Sequence, residues 1–370
     1  MDHSKKILIL YASAGHGHEK AAKAILEACR ELRFENAQAV DTISLVPPFF
    51  GNLYRQTYLF MIQYVPWLWG IFYYLLDVNW VYAVMRWVRR LLNASTAGRL
   101  EQFILKEKPD TIIATHFLSV EVASHLKEKN KINSKIISVV TDYLPHHVWM
   151  AKCVDLYAVA LPETKKALMR WNVPASKIEV TGIPVEKKFL ESLSISDART
   201  KLALDPNTFT VLITSGGAGI GSMKNIAEDL LALKKPIQML AVCGTNQNLF
   251  KVLNLKASEN SSLKVFGFVS NMQELMAASD MVIGKGGGLT LTESFSKGKP
   301  MILFQSIPGQ EARNVFCVRK YGAGLAASSL GEVIRAVSDI SASLEKLEAM
   351  KKGVNAMYKG NASKRIAELA

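Results

Sequence analysis

The stretch whose reading decides the fold is Asp280–Phe316, DMVIGKGGGLTLTESFSKGKPMILFQSIPGQEARNVF. Its first apolar run, Met281–Ile283, has the unbroken hydrophobicity of a parallel strand buried on both faces. A glycine cluster follows at Gly284, Gly286, Gly287 and Gly288. Leu289–Ser296 then reads as a helix with Glu293 in its first turns. Pro300–Phe304 reads as a second strand, and Pro308–Gly309 as a turn into another helix. Glycines between a strand and a helix let backbone N–H groups approach an anion at the helix N-terminus. Thr290 and Thr292 would add hydroxyl donors. A carboxylate at Glu293 is placed to accept from ribose hydroxyls, as the acidic residue of dinucleotide folds does.

The same strand–glycine–helix order recurs upstream. Thr210–Thr214 reads as a strand, Ser215–Gly221 (SGGAGIG) as a second phosphate-type loop, and Met223–Leu233 as a helix. Between them and the organising stretch come Ile237–Val242, Gln247–Leu253, Leu263–Phe266 and Met272–Ala278, alternately strand and helix. Near the N-terminus, Ile7–Tyr11 is a strand, Ala12–His18 a small-residue turn and Glu19–Arg33 an amphipathic helix. GxGxxG is absent there, which argues against a nicotinamide site. Thr111–Thr115 is a strand ending at His116, and Ile136–Val140 a strand ending in Thr141-Asp142. Residues at the carboxyl ends of parallel strands face the ligand crevice, so His116, Asp142 and the turn at His18 are expected together. The alternation predicts an α/β protein, and 370 residues suit two doubly wound, Rossmann-like domains.

Net charge is +13, which favours an anionic partner. The basic residues are scattered and no nucleic-acid module stands out, so nucleic acid is not expected. Four cysteines lie far apart without metal-type spacing, as in a reduced cytosolic protein. The apolar run at the N-terminus is too short for a signal peptide. Leu45–Leu92 differs from everything else. It holds four of the six tryptophans, and its only charges before Met85 are Arg55 and Asp77; Arg86, Arg89 and Arg90 then arrive together. Pro66, Asp77 and Asn79 cut it into pieces shorter than the roughly 20 residues of a membrane span. Trp and Tyr favour headgroup depth and arginine favours anionic lipid. The segment is therefore read as one or two amphipathic helices lying in a membrane face, with Trp67 and Trp69 inserted and the three arginines on the surface.

The run GKGGGLTLTE…KPMIL…IPGQEARN, with HGHEKAAKAI and TGIPVEKKF, resembles the monogalactosyldiacylglycerol synthases and processive diacylglycerol glucosyltransferases, relatives of the lipid-II-forming N-acetylglucosaminyl transferase. The resemblance implies a GT-B fold, two Rossmann-like domains facing a central cleft, with the aromatic insert (about 45–92) in the first. Residues 1–185 would form the acceptor and membrane domain and 186–345 the UDP-sugar domain. Residues 346–370 would cross back to the first. The implied activity is inverting, metal-independent transfer of glucose or galactose from a UDP-sugar to the hydroxyl of diacylglycerol, at the cytoplasmic face of an anionic membrane. The UDP-sugar is a substrate and no cofactor is expected.

By the same resemblance, Ser215, Gly216, Gly217, Gly286, Gly287, Gly288 and Thr290 would hold the diphosphate. Phe266 and Phe268 would read the base, Glu293 the ribose, and Gln310, Glu311 and Asn314 the sugar. Gly17 would face the acceptor. His18 is the candidate general base, because imidazole titrates near neutrality and follows a strand end; Asp142 is the competing base, or the group that orients His18. Asp142, His146 and His147 imitate a metal set, but their strand-end spacing without a further ligand argues against one. Three rival activities remain: transfer to an undecaprenyl-linked peptidoglycan precursor, non-catalytic lipid binding, and UDP-sugar epimerisation.

Overall fold

Short, continuously apolar runs such as TIIA, IQMLAV and MVIG become parallel strands covered on both faces. The computed structural model describes residues 2–13, 16–45, 56–57, 60–61, 64–78, 81, 98–217, 219 and 221–370. The chain divides into two units. Unit 1 comprises Met1–Lys187, Ile307–Arg313 and Lys359–Ala370; unit 2 comprises Lys188–Ser306 and Asn314–Tyr358.

Unit 1 contains β1 (Ile7–Tyr11), α1 (His16–Glu31), β2 (Ala37–Asp41), α2 (Pro66–Leu75), α3 (Gly98–Glu107) and β3 (Thr111–Ala114). It continues with α4 (Phe117–Glu128), β4 (Lys135–Val139), β5 (Leu156–Val159), α5 (Pro162–Arg170) and β6 (Ile178–Val180). The strands form one parallel sheet in the order β2-β1-β3-β4-β5-β6. The chain steps from β1 to β2, then returns across β1 to begin the other half at β3. The crevice at a topological switch point therefore opens at the carboxyl ends of β1 and β3.

Unit 2 contains α6 (Ile195–Lys201), β7 (Phe209–Thr214), α7 (Met223–Ala232), β8 (Ile237–Val242), α8 (Gln247–Glu259) and β9 (Leu263–Phe266). Then come α9 (Met272–Ala278), β10 (Met281–Gly284), α10 (Gly288–Ser296) and β11 (Met301–Phe304). The helix α11 (Gln310–Tyr321) begins in unit 1 and ends in unit 2; β12 (Gly324–Ala327), α12 (Leu330–Ser341) and α13 (Leu344–Met357) complete unit 2. Its sheet is also parallel, in the order β12-β11-β10-β7-β8-β9, so its switch point lies between β7 and β10.

The last helix, α14 (Ala362–Glu368), returns to unit 1. Ile366, Ala367 and Ala370 join a core with Ile7, Ile9, Ile25 and Cys29 on one face of the first sheet. The Ser363 hydroxyl donates to the Val185 carbonyl at 3.0 Å. The segment that rejoins unit 1 starts at Lys359 and not at residue 346, because Leu347 and Met350 of α13 are buried in the core of unit 2. The first helix also differs from expectation. It begins at His16 rather than Glu19, so Gly17 and His18 stand in its first turn. The Thr115 hydroxyl donates to the His18 carbonyl at 3.0 Å and ties that turn to the end of β3.

Within the aromatic segment, α2 and its neighbours are the described part. Among the described residues no helix is long and apolar enough to cross a membrane. Trp67 is 63 % exposed, whereas Trp69 is half-buried beside Tyr73, ring centres 6.4 Å apart. Residues two apart on a helix point about 200° apart, so the two tryptophans cannot insert together. The exposed apolar residues of α2 are Trp67, Ile71, Phe72, Tyr74 and Leu75, with Tyr64 just before it. Arg86, Arg89 and Arg90 lie outside the described residues.

Candidate active site

In unit 1 the switch point is filled by side chains. His18 Nδ1 lies 2.6 Å from the Thr115 carbonyl and 3.3 Å from Thr141 Oγ1. A carbonyl only accepts, so Nδ1 carries the proton and Nε2 keeps the lone pair. Burial pulls the His18 imidazole down to about 4, against the carbonyl contact, which works the other way. The ring is thus neutral at physiological pH, with Nε2 as its basic atom. His116, buried at the tip of β3, meets it edge-on with ring centres 4.8 Å apart. His116 Nδ1 accepts from the Leu118 N–H and caps α4.

Thr141, the neighbour of Asp142, contacts the His18 ring. The Asp142 carboxylate, 5 % exposed, instead accepts from the Gln310 amide on both oxygens, at 3.0 and 3.0 Å. Gln310 was expected to face a sugar; here it holds Asp142. Glu311 accepts from the Ile307 N–H at 2.7 Å and closes the turn before α11. Two backbone contacts occupy the imidazole of His146: Nε2 donates to the Tyr73 carbonyl at 2.8 Å and Nδ1 accepts from the Val148 N–H at 3.1 Å. His147 Nδ1 lies 2.9 Å from Asp77. Among the described residues no cluster of His, Cys, Asp and Glu has the geometry of a metal site.

In unit 2 the switch point is lined by backbone. Ser215, Gly216 and Gly217 leave β7 in a loop that packs on the end of β8. The Thr245 N–H donates to the Gly217 carbonyl at 2.9 Å, and Asn246 Nδ2 to the Gly219 carbonyl at 3.0 Å. A Cβ on Gly219 would lie 2.1 Å from the Cys243 carbonyl oxygen, and one on Gly244 2.2 Å from that of Gly217. Both glycines have positive φ. Gln305, just after β11, has φ 54° and reaches across to Ser222. Its Oε1 accepts from the Ser222 N–H at 3.0 Å and its Nε2 donates to the Ser222 hydroxyl at 2.8 Å. A cavity of about 20 Å³, lined by Thr214, Ser215, Ser222, Gly284, Lys285 and Gln305 among others, sits between the loops and is the size of one water site.

The organising glycines divide their work. The Gly286 N–H donates to Ser306 Oγ at 3.0 Å and its carbonyl accepts from Asn314 Nδ2 at 2.9 Å, so this peptide is pinned at both ends. Asn314 is fully buried and braces the loop through this contact. Gly287 is the N-cap of α10, with no side chain capping the helix, and Gly288 opens it. Uncapped N–H groups with the positive end of the helix dipole suit an anion. The Thr292 hydroxyl is turned inward onto the Gly288 carbonyl at 2.8 Å and offers no donor, leaving Thr290 as the hydroxyl of the first turn. Glu293 is in the second turn of α10 and 4 % exposed. Phe266 ends β9, and Phe268 projects into solvent.

Sequence reasoning did not find Thr115 and Thr141 as partners of His18, or Gly244, Asn246, Gln305 and Ser306 as braces of the loops. It also missed Arg313, which binds Asp77. A glycine just past an apolar strand (Gly244) and a lone acid in an aromatic stretch (Asp77) were the visible signals.

The monogalactosyldiacylglycerol (MGDG) synthase family model matches residues 18–185, and the glycosyltransferase family 28 C-terminal domain matches 210–369. A processive diacylglycerol beta-glucosyltransferase from Bacillus licheniformis is 30 % identical over 369 residues, covering 99 % of this chain and 94 % of that protein. One of the same name from Staphylococcus epidermidis is 31 % identical over 352 residues, covering 94 % and 87 %. Among solved structures, MurG from Acinetobacter baumannii aligns with TM-score 0.66 at 14 % identity over 98 % of each chain. Staphylococcus aureus MnaA with UDP aligns at 0.64 and 14 %, over 98 % of this chain and 94 % of that one. These two establish the fold, of the GT-B kind. With its two family-model matches and its full-length relatives, the chain belongs to the diacylglycerol glycosyltransferase family.

Proposed function

We propose that the protein moves a hexosyl group from UDP-glucose or UDP-galactose to the free hydroxyl of diacylglycerol, releasing UDP and inverting the anomeric carbon. The observation that carries this reading is relatedness over the full length to processive diacylglycerol beta-glucosyltransferases. The acceptor oxygen attacks the anomeric carbon while the bond to the β-phosphate oxygen breaks. The hydroxyl proton passes to Nε2 of His18, and the charge left on UDP is met by backbone N–H groups at the start of α10 and in the Ser215–Gly217 loop. Three features support His18 as base: its fixed tautomer, its neutral state at physiological pH and its place at the switch point of unit 1. Asp142 is the weaker candidate, since the Gln310 amide occupies both its oxygens.

The acceptor in this reading is a lipid, and the exposed apolar face of α2 supports peripheral work at a membrane surface. Two acyl chains leave a bilayer at about 0.8 kcal/mol per CH₂, a cost avoided by an enzyme that docks on the bilayer. The net charge of +13 suits anionic lipid. The deciding experiment incubates the protein with liposomes containing diacylglycerol and UDP-glucose, UDP-galactose or UDP-N-acetylglucosamine in turn, and weighs the lipid products by mass spectrometry. A hexosyl-diacylglycerol from one of the first two is expected. No lipid product with any donor would refute the reading.

A further inference from the structure

Three segments of unit 1 meet at one node: α2 with its last turn, residues 142–147, and residues 307–313. Gln310 and Arg313 are three apart and share one face of α11. Gln310 holds Asp142, while Arg313 donates to the Pro145 carbonyl and to the Asp77 carboxylate. The guanidinium lies over the Tyr73 ring, 5.1 Å from its centre, and 5.9 Å from that of Tyr74. Asp77 also accepts from the His147 N–H at 3.0 Å and from its Nδ1 at 2.9 Å. Burial works to raise the Asp77 carboxyl, but Arg313 and the two His147 contacts outweigh it and hold it below its ordinary value.

Contact at the node is backbone-close. A Cβ on Gly70 would lie 2.8 Å from Pro308 Cβ, and one on Gly309, at φ 89°, 2.7 Å from the Tyr73 ring. Thus the inward face of α2, Gly70 and Tyr73, is seated on the segment that carries Gln310. The outward face is the exposed apolar one. The flat guanidinium suits this position because it stacks on one ring while donating in two directions, which an ammonium does not do.

We propose that Arg313 is a positioning residue that couples the apolar face of α2 to the Gln310–Asp142 pair, so that seating α2 on a lipid surface raises turnover. The proposal rests on the transferase reading above. The test compares turnover on diacylglycerol in phosphatidylglycerol-containing vesicles with turnover on a short-chain diacylglycerol dispersed in water, alongside vesicle co-sedimentation. Wild type is expected to be faster on vesicles. Arg313→Ala is expected to lower kcat on vesicles by roughly ten- to a hundredfold, with the KM for UDP-sugar little changed. It is also expected to abolish the advantage of vesicles while binding them as wild type does, and Arg313→Lys to restore only part. Should Arg313→Ala fail to fold, Tyr73→Leu, which keeps the ion pair and removes the stacked ring, is read by the same ratio. A variant that keeps the vesicle advantage, or that loses vesicle binding itself, overturns the coupling and leaves the transferase reading intact. A wild type without turnover on any UDP-hexose overturns both.

Discussion

Each sheet has its switch point beside its first strand, although the strand orders differ, and the two switch points have opposite linings. At the ends of β1 and β3 the crevice of unit 1 is filled by His18, Thr115, His116 and Thr141, whose rings and hydroxyls touch one another. At the ends of β7 and β10 the crevice of unit 2 is lined by glycine backbone, with Gly219 and Gly244 packed so closely that neither position has room for a Cβ. Side-chain filling desolvates an imidazole and fixes its tautomer, which suits proton transfer. Glycine lining bares N–H groups at helix starts, which suits a diphosphate. Side-chain size at a strand end separates the two chemistries.

The sharpest way to break this comparison is to exchange the imidazole. His18→Ala should lower turnover by roughly 10²–10⁴-fold while UDP affinity stays close to wild type, because a general base acts in the transition state. Steady-state kinetics with calorimetric UDP titration checks both halves. If Asp142→Asn is the more damaging change, the base is Asp142. The low pKa also sets the acid limb of kcat/KM for the free enzyme near pH 4 to 5, well below the ordinary imidazole value of 6.5. A limb near 6.5 would mean that the imidazole is solvated.

The glycine crevice is tested at Gly244. Its φ is 59° and a Cβ would meet the Gly217 carbonyl oxygen at 2.2 Å, so Gly244→Ala forces the backbone of the phosphate loop to move. A loss of about 3 kcal/mol or more is expected, with weaker UDP binding and His18 chemistry untouched. Thermal unfolding with and without UDP measures it, and a neutral result would show the interlock to be loose. Glu293→Ala comes next: loss of a charge-assisted contact of about 1.5–3 kcal/mol should weaken UDP by on the order of ten- to a hundredfold. An unchanged dissociation constant would remove Glu293 from the ribose.

What the sequence disclosed follows the same division. Parallel strands buried on both faces are continuous apolar runs, so most of both sheets was legible, as was each strand–glycine–helix turn. The strand β12 was not, because GLAA is short and carries no β-branched residue. His18 stood out as an imidazole after a strand. Its partners did not, since Thr115 lies 97 residues away, and Asp77 lies 236 residues from Arg313. Such pairings exist only once the sheet order has brought strand ends together. Residue type announced the chemistry; the contacts that tune it are tertiary.

The smallest expected effect separates the units by pH. All seven histidines and all six tryptophans precede Lys187, so unit 2 has neither. His18 and His146 are both drawn down to about 4. For His146, 3 % exposed, burial is the chief cause. The Tyr73 carbonyl and Asp77 oppose it, and Arg313 and His147 add to it. Between about 4 and the ordinary 6.5, the unfolded chain binds a proton that the folded ring refuses, so stability falls as pH falls through this window. For His146 the full loss is on the order of 3 kcal/mol, of which roughly 2 has accrued by pH 5. Unit 2 has no imidazole to titrate, and the phosphates of UDP-glucose stay ionised over the same range. Denaturant melts followed by tryptophan fluorescence, which reports unit 1, should therefore weaken from pH 7 to 5, while UDP-glucose binding persists. His146→Gln, whose amide replaces the donor to Tyr73 without a titrating group, should lessen the fluorescence trend and leave the share of His18, even if it lowers stability at pH 7. Equal acid sensitivity in both readouts would mean that the histidines are not what distinguishes the two crevices at low pH.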